Sequence, residues 1–351
     1  MTNGSDAFAP TYHIDHTTKT RRFIMQLDNM FLQACKNNQK SVVLTFLKRG
    51  GIDVNKRDET GNTPLIYACL KSSRDLVKLL IENGADVNLA NQKNRMPLHF
   101  AADSGNAQII SMLTENGADV NCTDNNGVTP LMVLAQKGKT DAALKLIQHP
   151  DIDISIKDNS NRMAIDYATA AGLRELVTAL SASKEDHADS YGNTPLHHAC
   201  WNDQSEVVKV LLEKDPESVN KLNDDGESPL LLTVRKSNLM IAELLLSAGA
   251  KTDIANHDGV YPLHIAAING DLFTGKALLT AGAGIDQKAF DGQTPLILAA
   301  RNAKNDFTAM LIESGANVNA VDNDQHSALY YASEAGYTEI VEQLLVAGAE
   351  N

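Results

Sequence analysis

His197-His198-Ala199-Cys200 is the densest cluster of reactive side chains in the sequence. An imidazole beside a thiol can act as base and nucleophile, and two imidazoles with a thiolate can begin a metal site. Near the N-terminus, His13-Ile14-Asp15-His16 offers two imidazoles and a carboxylate. Neither cluster is complete, because a metal needs further ligands and a nucleophile needs a base oriented by a third group. The chain also lacks a Gly-rich loop with Lys-Ser/Thr, a His-Glu-x-x-His helix and a Gly-x-Ser-x-Gly elbow. No catalytic residue, metal site or cofactor is therefore assigned, and the protein is expected not to be an enzyme. A site around His187 and His198 is the enzymatic reading kept for comparison.

The elements that hold His197 explain it more simply. It closes the phrase Thr194-Pro195-Leu196-His197, which recurs as Thr63-Pro64-Leu65-Ile66, Met96-Pro97-Leu98-His99, Thr129-Pro130-Leu131-Met132, Ser228-Pro229-Leu230-Leu231, Tyr261-Pro262-Leu263-His264 and Thr294-Pro295-Leu296-Ile297. Weaker copies begin at Asn29, Met163 and Ser327. The intervals between successive copies are 34, 33, 33, 34, 31, 34, 33, 33 and 33 residues. Ten such units occupy nearly all of the 351 residues.

In the unit from Asp58 to Ala90, Thr63 is placed to cap a first helix and Pro64 sits where a missing N–H is harmless. Leu65, Ala68 and Cys69 fall on one face of that helix. After a turn at Lys71-Ser72-Ser73, Leu76, Val77, Leu79, Leu80 and Ile81 form a second apolar helix that Gly84 ends. Neither helix can bury its face alone, so each unit needs neighbours and the array is an elongated stack. The phrase, its period and the Gly-Ala-Asp-Val-Asn stops (Gly84 to Asn88, Gly117 to Asn121, and Gly315 to Asn319 with Asn at the third place) resemble the ankyrin-repeat family over residues 24–350. The resemblance implies an all-α solenoid with β-hairpin-like tips, a phrase histidine bonded within its hairpin, and partners docked on the concave side. It also raises hydroxylation of Asn88, Asn121 and Asn319 by a partner enzyme.

Composition agrees with a globular chain: 43% apolar and 21% charged residues. There is no run of about 18 apolar residues and no charged-then-apolar leader. The expected setting is cytoplasmic or nuclear, without membrane contact, with a secreted effector as an alternative. A net charge of −13 argues against nucleic-acid binding. Cys35, Cys69 and Cys200 share one repeat position and read as small buried hydrophobes. Cys122 follows a turn and is the cysteine expected to be accessible.

Residues 1–22 are polar and unpatterned, and are expected to be a disordered tail before a domain spanning 23–351. Residues 23–57 form a degenerate N-terminal cap. At 163–193 the phrase loses its proline, and Ser181 to His187 replace the Gly-Ala-Asp-Val-Asn stop. This seam either weakens or bends the stack, or is a divergent repeat of unchanged curvature. The chain stops just after Gly348-Ala349, so no further domain is expected.

The residues that end each first helix carry what is particular to this protein. They include Trp201-Asn202, Arg235-Lys236, Ile268-Asn269 and Arg301-Asn302. Across all ten repeats these positions are basic more often than acidic, which points to an acidic or phosphorylated segment of another protein. Asp225, Asp258, Asp291 and Asp324 line the hairpin tips beside them, so the groove is amphoteric. With Tyr191 and Phe290 on the hairpins, the expected partner site is Trp201, Tyr191, Asn202, Arg235, Lys236, Ile268, Phe290 and Arg301. The function expected is a monomeric, non-enzymatic scaffold. The alternative is a microbial effector that recruits or regulates a host enzyme.

Overall fold

In the computed structural model, residues 16–181 and 187–350 are described, with side chains from residue 25 onward. Among them are twenty α-helices, one 3-10 helix and a single isolated β-bridge, Val321 to Ser327. The chain forms two compact units. Of the described residues, the first comprises 16–133 and 148–152, the second 134–147, 153–181 and 187–350.

Within the first unit, His16–Lys36 packs on Pro64–Leu70, which packs on Pro97–Ser104. A second layer stacks Lys40–Arg49, Arg74–Glu82 and Ala107–Glu115. The second unit continues the pattern. Ala164–Ala170, Pro195–Trp201, Pro229–Arg235, Pro262–Asn269, Pro295–Arg301 and Ala328–Ala335 stack in one row. Arg174–Leu180, Ser205–Lys214, Leu239–Ser247, Leu272–Thr280, Asn305–Glu313 and Thr338–Val346 stack in the other. Both helices of the seam pack on the following repeat within the second unit.

The recurring phrase sets each first helix as its chemistry requires. Thr63, Thr129, Thr194, Ser228, Thr294 and Ser327 accept an N–H three residues on through their hydroxyls. Where the cap is Met96 or Tyr261, the phrase histidine instead accepts the cap's own N–H at 3.1 Å. Neighbouring repeats are joined by hairpin asparagines. Asn88 donates to the Gly117 carbonyl at 2.9 Å and accepts from Asp119 N–H at 2.9 Å, and Asn319 does the same with Gly348 and Glu350. Asn121 donates to the Asp151 carbonyl at 2.7 Å. A hydroxylase acting on these side chains would have to release the bonds first. In the second layer, a β-carbon on Gly275 would fall 2.5 Å from the Phe307 ring, so this mid-helix glycine makes room for a fully buried phenylalanine.

Two expectations need correction. The first helix begins at His16, so residues 16–22 are helical rather than part of the tail; residues 1–15 lie outside the described residues. No proline or glycine occurs between His16 and Lys36, and Asn29 sits mid-helix instead of capping it. Cys122 is buried, not accessible: its side chain turns inward, with Sγ 3.7 Å from His99 Nδ1. The hairpins are short turns closed by backbone and side-chain bonds together: the Asp58 N–H donates to the Asn62 carbonyl at 3.1 Å. The Asp58 carboxylate accepts the N–H groups of Thr60 and Asn62.

Candidate functional site

The apparent catalytic cluster is held apart by structural bonds. His197 Nδ1 accepts the Thr194 N–H at 3.1 Å, and its Nε2 donates to the Glu227 carbonyl of the next repeat at 3.0 Å. His99 and His264 repeat this with Val128 and Gln293. His198 pairs with Asp189 at 3.0 Å, taking the place of Tyr67, Tyr167 and Tyr331, which bond Asp58, Asp158 and Asp322. Burial raises those three aspartates, but the tyrosine hydroxyl and backbone N–H groups outweigh it and hold them below the ordinary range. Burial pushes the Cys35, Cys122 and Cys200 thiols up to about 12, far from a reactive thiolate. Among the described residues no group of three or more His, Cys, Asp and Glu is placed to hold a metal.

Burial also lowers the three phrase histidines, His197 to about 4. A histidine depressed on folding stabilises fully above its unfolded value of about 6.5. That contribution is lost as pH falls through the folded value. Urea unfolding should therefore shift to lower concentrations between pH 7 and pH 4. Part of the shift should disappear in His197→Leu, since Leu231 fills the same register.

The seam holds a different pair. Asp166 stands where His99 and His197 stand, and accepts the Met163 N–H at 2.7 Å. His187 Nε2 reaches back to the same carboxylate oxygen. His187 occupies the column of Leu89, Cys122 and Ile254, so the imidazole has moved from the helix to the hairpin and an acid has replaced it. It lines a cavity of about 500 Å³. Among the described residues its Nδ1 has no hydrogen-bond partner.

Exposure singles out another region. Outside the first and last repeats, the exposed large apolar side chains are Leu70, Tyr191, Trp201, Leu222, Met240, Ile268, Phe273 and Phe290. All but Leu70 lie in repeats six to nine. Tyr191 is 69% exposed and Phe290 73%. The Phe290 ring rests on Gly259, where a β-carbon would fall 2.5 Å away. Trp201 is 49% exposed and carries the Lys236 ammonium 4.9 Å from its ring. Asn202 is exposed and donates to its own helix at His198. Arg301 lies over Tyr331 at 5.3 Å.

Arg235, expected at the partner site, is also paired within the protein. Its guanidinium is bound by Glu227, with contacts of 2.6 and 3.2 Å, and Asn256 donates to the same carboxylate at 3.0 Å. The positive row in these repeats is thereby reduced to Lys236 and Arg301. Arg95 and Asp103 form the same pair with the charges exchanged, eight residues apart in the same register. Met240 and Phe273 are missed by sequence reasoning. They take the helix position that Glu206, Asp306 and Glu339 hold elsewhere, which is the signal that marks them.

Helix pairs at a 33-residue period, capped and cross-linked in this way, define a helical repeat protein. The chain belongs to the ankyrin-repeat family: the pattern described as ankyrin repeats (3 copies) matches in overlapping windows from residue 31 to residue 351. Among similar proteins, ankyrin repeat protein nuc-2 of Neurospora crassa is 26% identical over 120 residues, 33% of this chain and 11% of its own length. A probable 26S proteasome regulatory subunit, p28, of Saccharomyces cerevisiae is 30% identical over 104 residues, 28% of this chain and 46% of its own. ANK repeat-containing protein nipk-1 of Caenorhabditis elegans is 33% identical over 94 residues, 23% of this chain and 15% of its own. The matched stretches thus span less than half of each relative. No described helix is long and apolar enough to cross a membrane.

Proposed function

We propose that this chain is a non-enzymatic interaction module that docks another protein on the exposed face of repeats six to nine. Ankyrin repeats in general mediate binding to other proteins. The carrying observation is the concentration of exposed aromatic and aliphatic side chains between Tyr191 and Phe290. Such residues form the centre of interfaces when a partner excludes water around them. The face is built on packed helices and cross-linked hairpins, so docking orders little of this protein. In this reading an acidic or phosphorylated group of the partner meets Lys236 and Arg301, and the protein acts as a monomer in the cytoplasm or nucleus.

Affinity capture from native lysate, compared by quantitative mass spectrometry, tests this. Trp201→Ala combined with Phe290→Ala should remove the principal captured proteins, at least tenfold in abundance by the usual weight of aromatic hot spots. Leu70→Ala should leave them unchanged. Equal capture by all three proteins would refute the location.

A further inference from the structure

The charge around this face is one-sided. Between residues 187 and 350 there are 10 lysines and arginines and 23 aspartates and glutamates. The rest of the chain is balanced, 21 against 21, so the entire net charge of −13 belongs to this segment. The exposed tips carry one aspartate per repeat in a fixed row: Asp225, Asp258, Asp291 and Asp324. None of the four forms an ion pair among the described residues.

The row is held in register by the backbone. Asp224 N–H donates to the Tyr191 carbonyl at 3.0 Å, His257 N–H to Asp225 at 3.4 Å, and Asn323 N–H to Asp291 at 3.0 Å. The tips also share a face with the ends of the first helices, since Asp258 lies close enough to Arg235 for its charge to act on the guanidinium. Phe290 and Tyr191 stand among these acids as exposed rings.

We propose that the segment docked here is extended and presents a lysine or arginine at every third position to the four tip aspartates. This rests on the docking reading above and specifies its partner. Stacked helices lie about 8–10 Å apart. Every third residue of a polyproline-type chain returns to one face after about 9.3 Å. Same-face residues of a β-strand recur after about 6.6 Å and fall out of step. An extended three-residue period also leaves the other two faces free, one for Trp201 and Ile268, the other for an acidic group against Lys236 or Arg301.

A phage-displayed library of random 16-residue peptides, panned on the full chain, tests the period. Enriched sequences should carry Lys or Arg at i, i+3 and i+6. The best clone, as a synthetic peptide, should bind at least about tenfold more weakly to a variant with all four tip aspartates changed to asparagine. Asparagine keeps the shape and the turn acceptor that Asp291 supplies to Gln293. A melting curve matching the parent's confirms that the variant is folded. Basic residues at i and i+7, which mark a helix, overturn the inference, as does enrichment without basic residues. If those peptides are still lost with Trp201→Ala and Phe290→Ala, the docking face stands and only its chemistry is wrong. Peptides insensitive to both variants, or no enrichment, overturn both.

Discussion

His187→Leu should destabilise the second compact unit by about 2–4 kcal/mol, although leucine is the residue that Leu89 supplies at the same position. The cost lies in what remains. The Asp166 side chain is 2% exposed, its Oδ1 already lacks a partner, and without His187 its other oxygen keeps only the Met163 N–H. A buried carboxylate left uncompensated costs several times what an ordinary hydrogen bond contributes. Adding Asp166→His to His187→Leu should recover most of the loss. The new imidazole would accept the Met163 N–H as His99 accepts that of Met96, while the introduced leucine would refill an apolar column. Urea denaturation of the two variants and the parent decides this. A neutral His187→Leu would show that the pair is incidental.

Arg235→Glu should cost roughly 1–3 kcal/mol of stability, whatever it does to binding. The Glu227 side chain is 9% exposed, and it would face a second carboxylate with only Asn256 to satisfy it. The lower part of that range reflects the exposed half of the guanidinium, where water screens the charge. Changing both residues to glutamine should restore most of the stability, because it removes the unpaired charge and keeps an acceptor for Asn256. Denaturation midpoints of the single and double variants measure this. Loss of partner binding in Arg235→Glu alone would therefore say little about contact, and Lys236 is the better probe of the basic row.

The fold is legible in the sequence because one physical requirement repeats. A capped helix start, two short apolar faces and a glycine stop recur at an interval that stacking demands. Terminal and irregular units are less legible. Without a Thr-Pro start, nothing in residues 16–36 marks where the helix begins. Cys122 misleads because a position after a turn says nothing of side-chain direction, and here it points at His99. The site is half legible. Trp201, Tyr191, Ile268 and Phe290 are exposed as their register implies. Arg235 occupies the same register, but its role depends on Glu227, eight residues earlier in the hairpin. Comparison with the inverted pair Arg95 and Asp103 could have shown it. The exchange of Asp166 and His187 is hidden for the same reason: each looks ordinary until its counterpart is found.

Docking of a partner protein on repeats six to nine is tested most directly by hydrogen-exchange mass spectrometry. The full chain would be compared free and saturated with the principal captured protein. Protection is expected in the segments around Tyr191 to Asn202, Lys236 to Met240, Ile268 to Phe273 and Phe290 to Arg301. Protection confined to residues 25–133, with those segments exchanging as in the free protein, would contradict it.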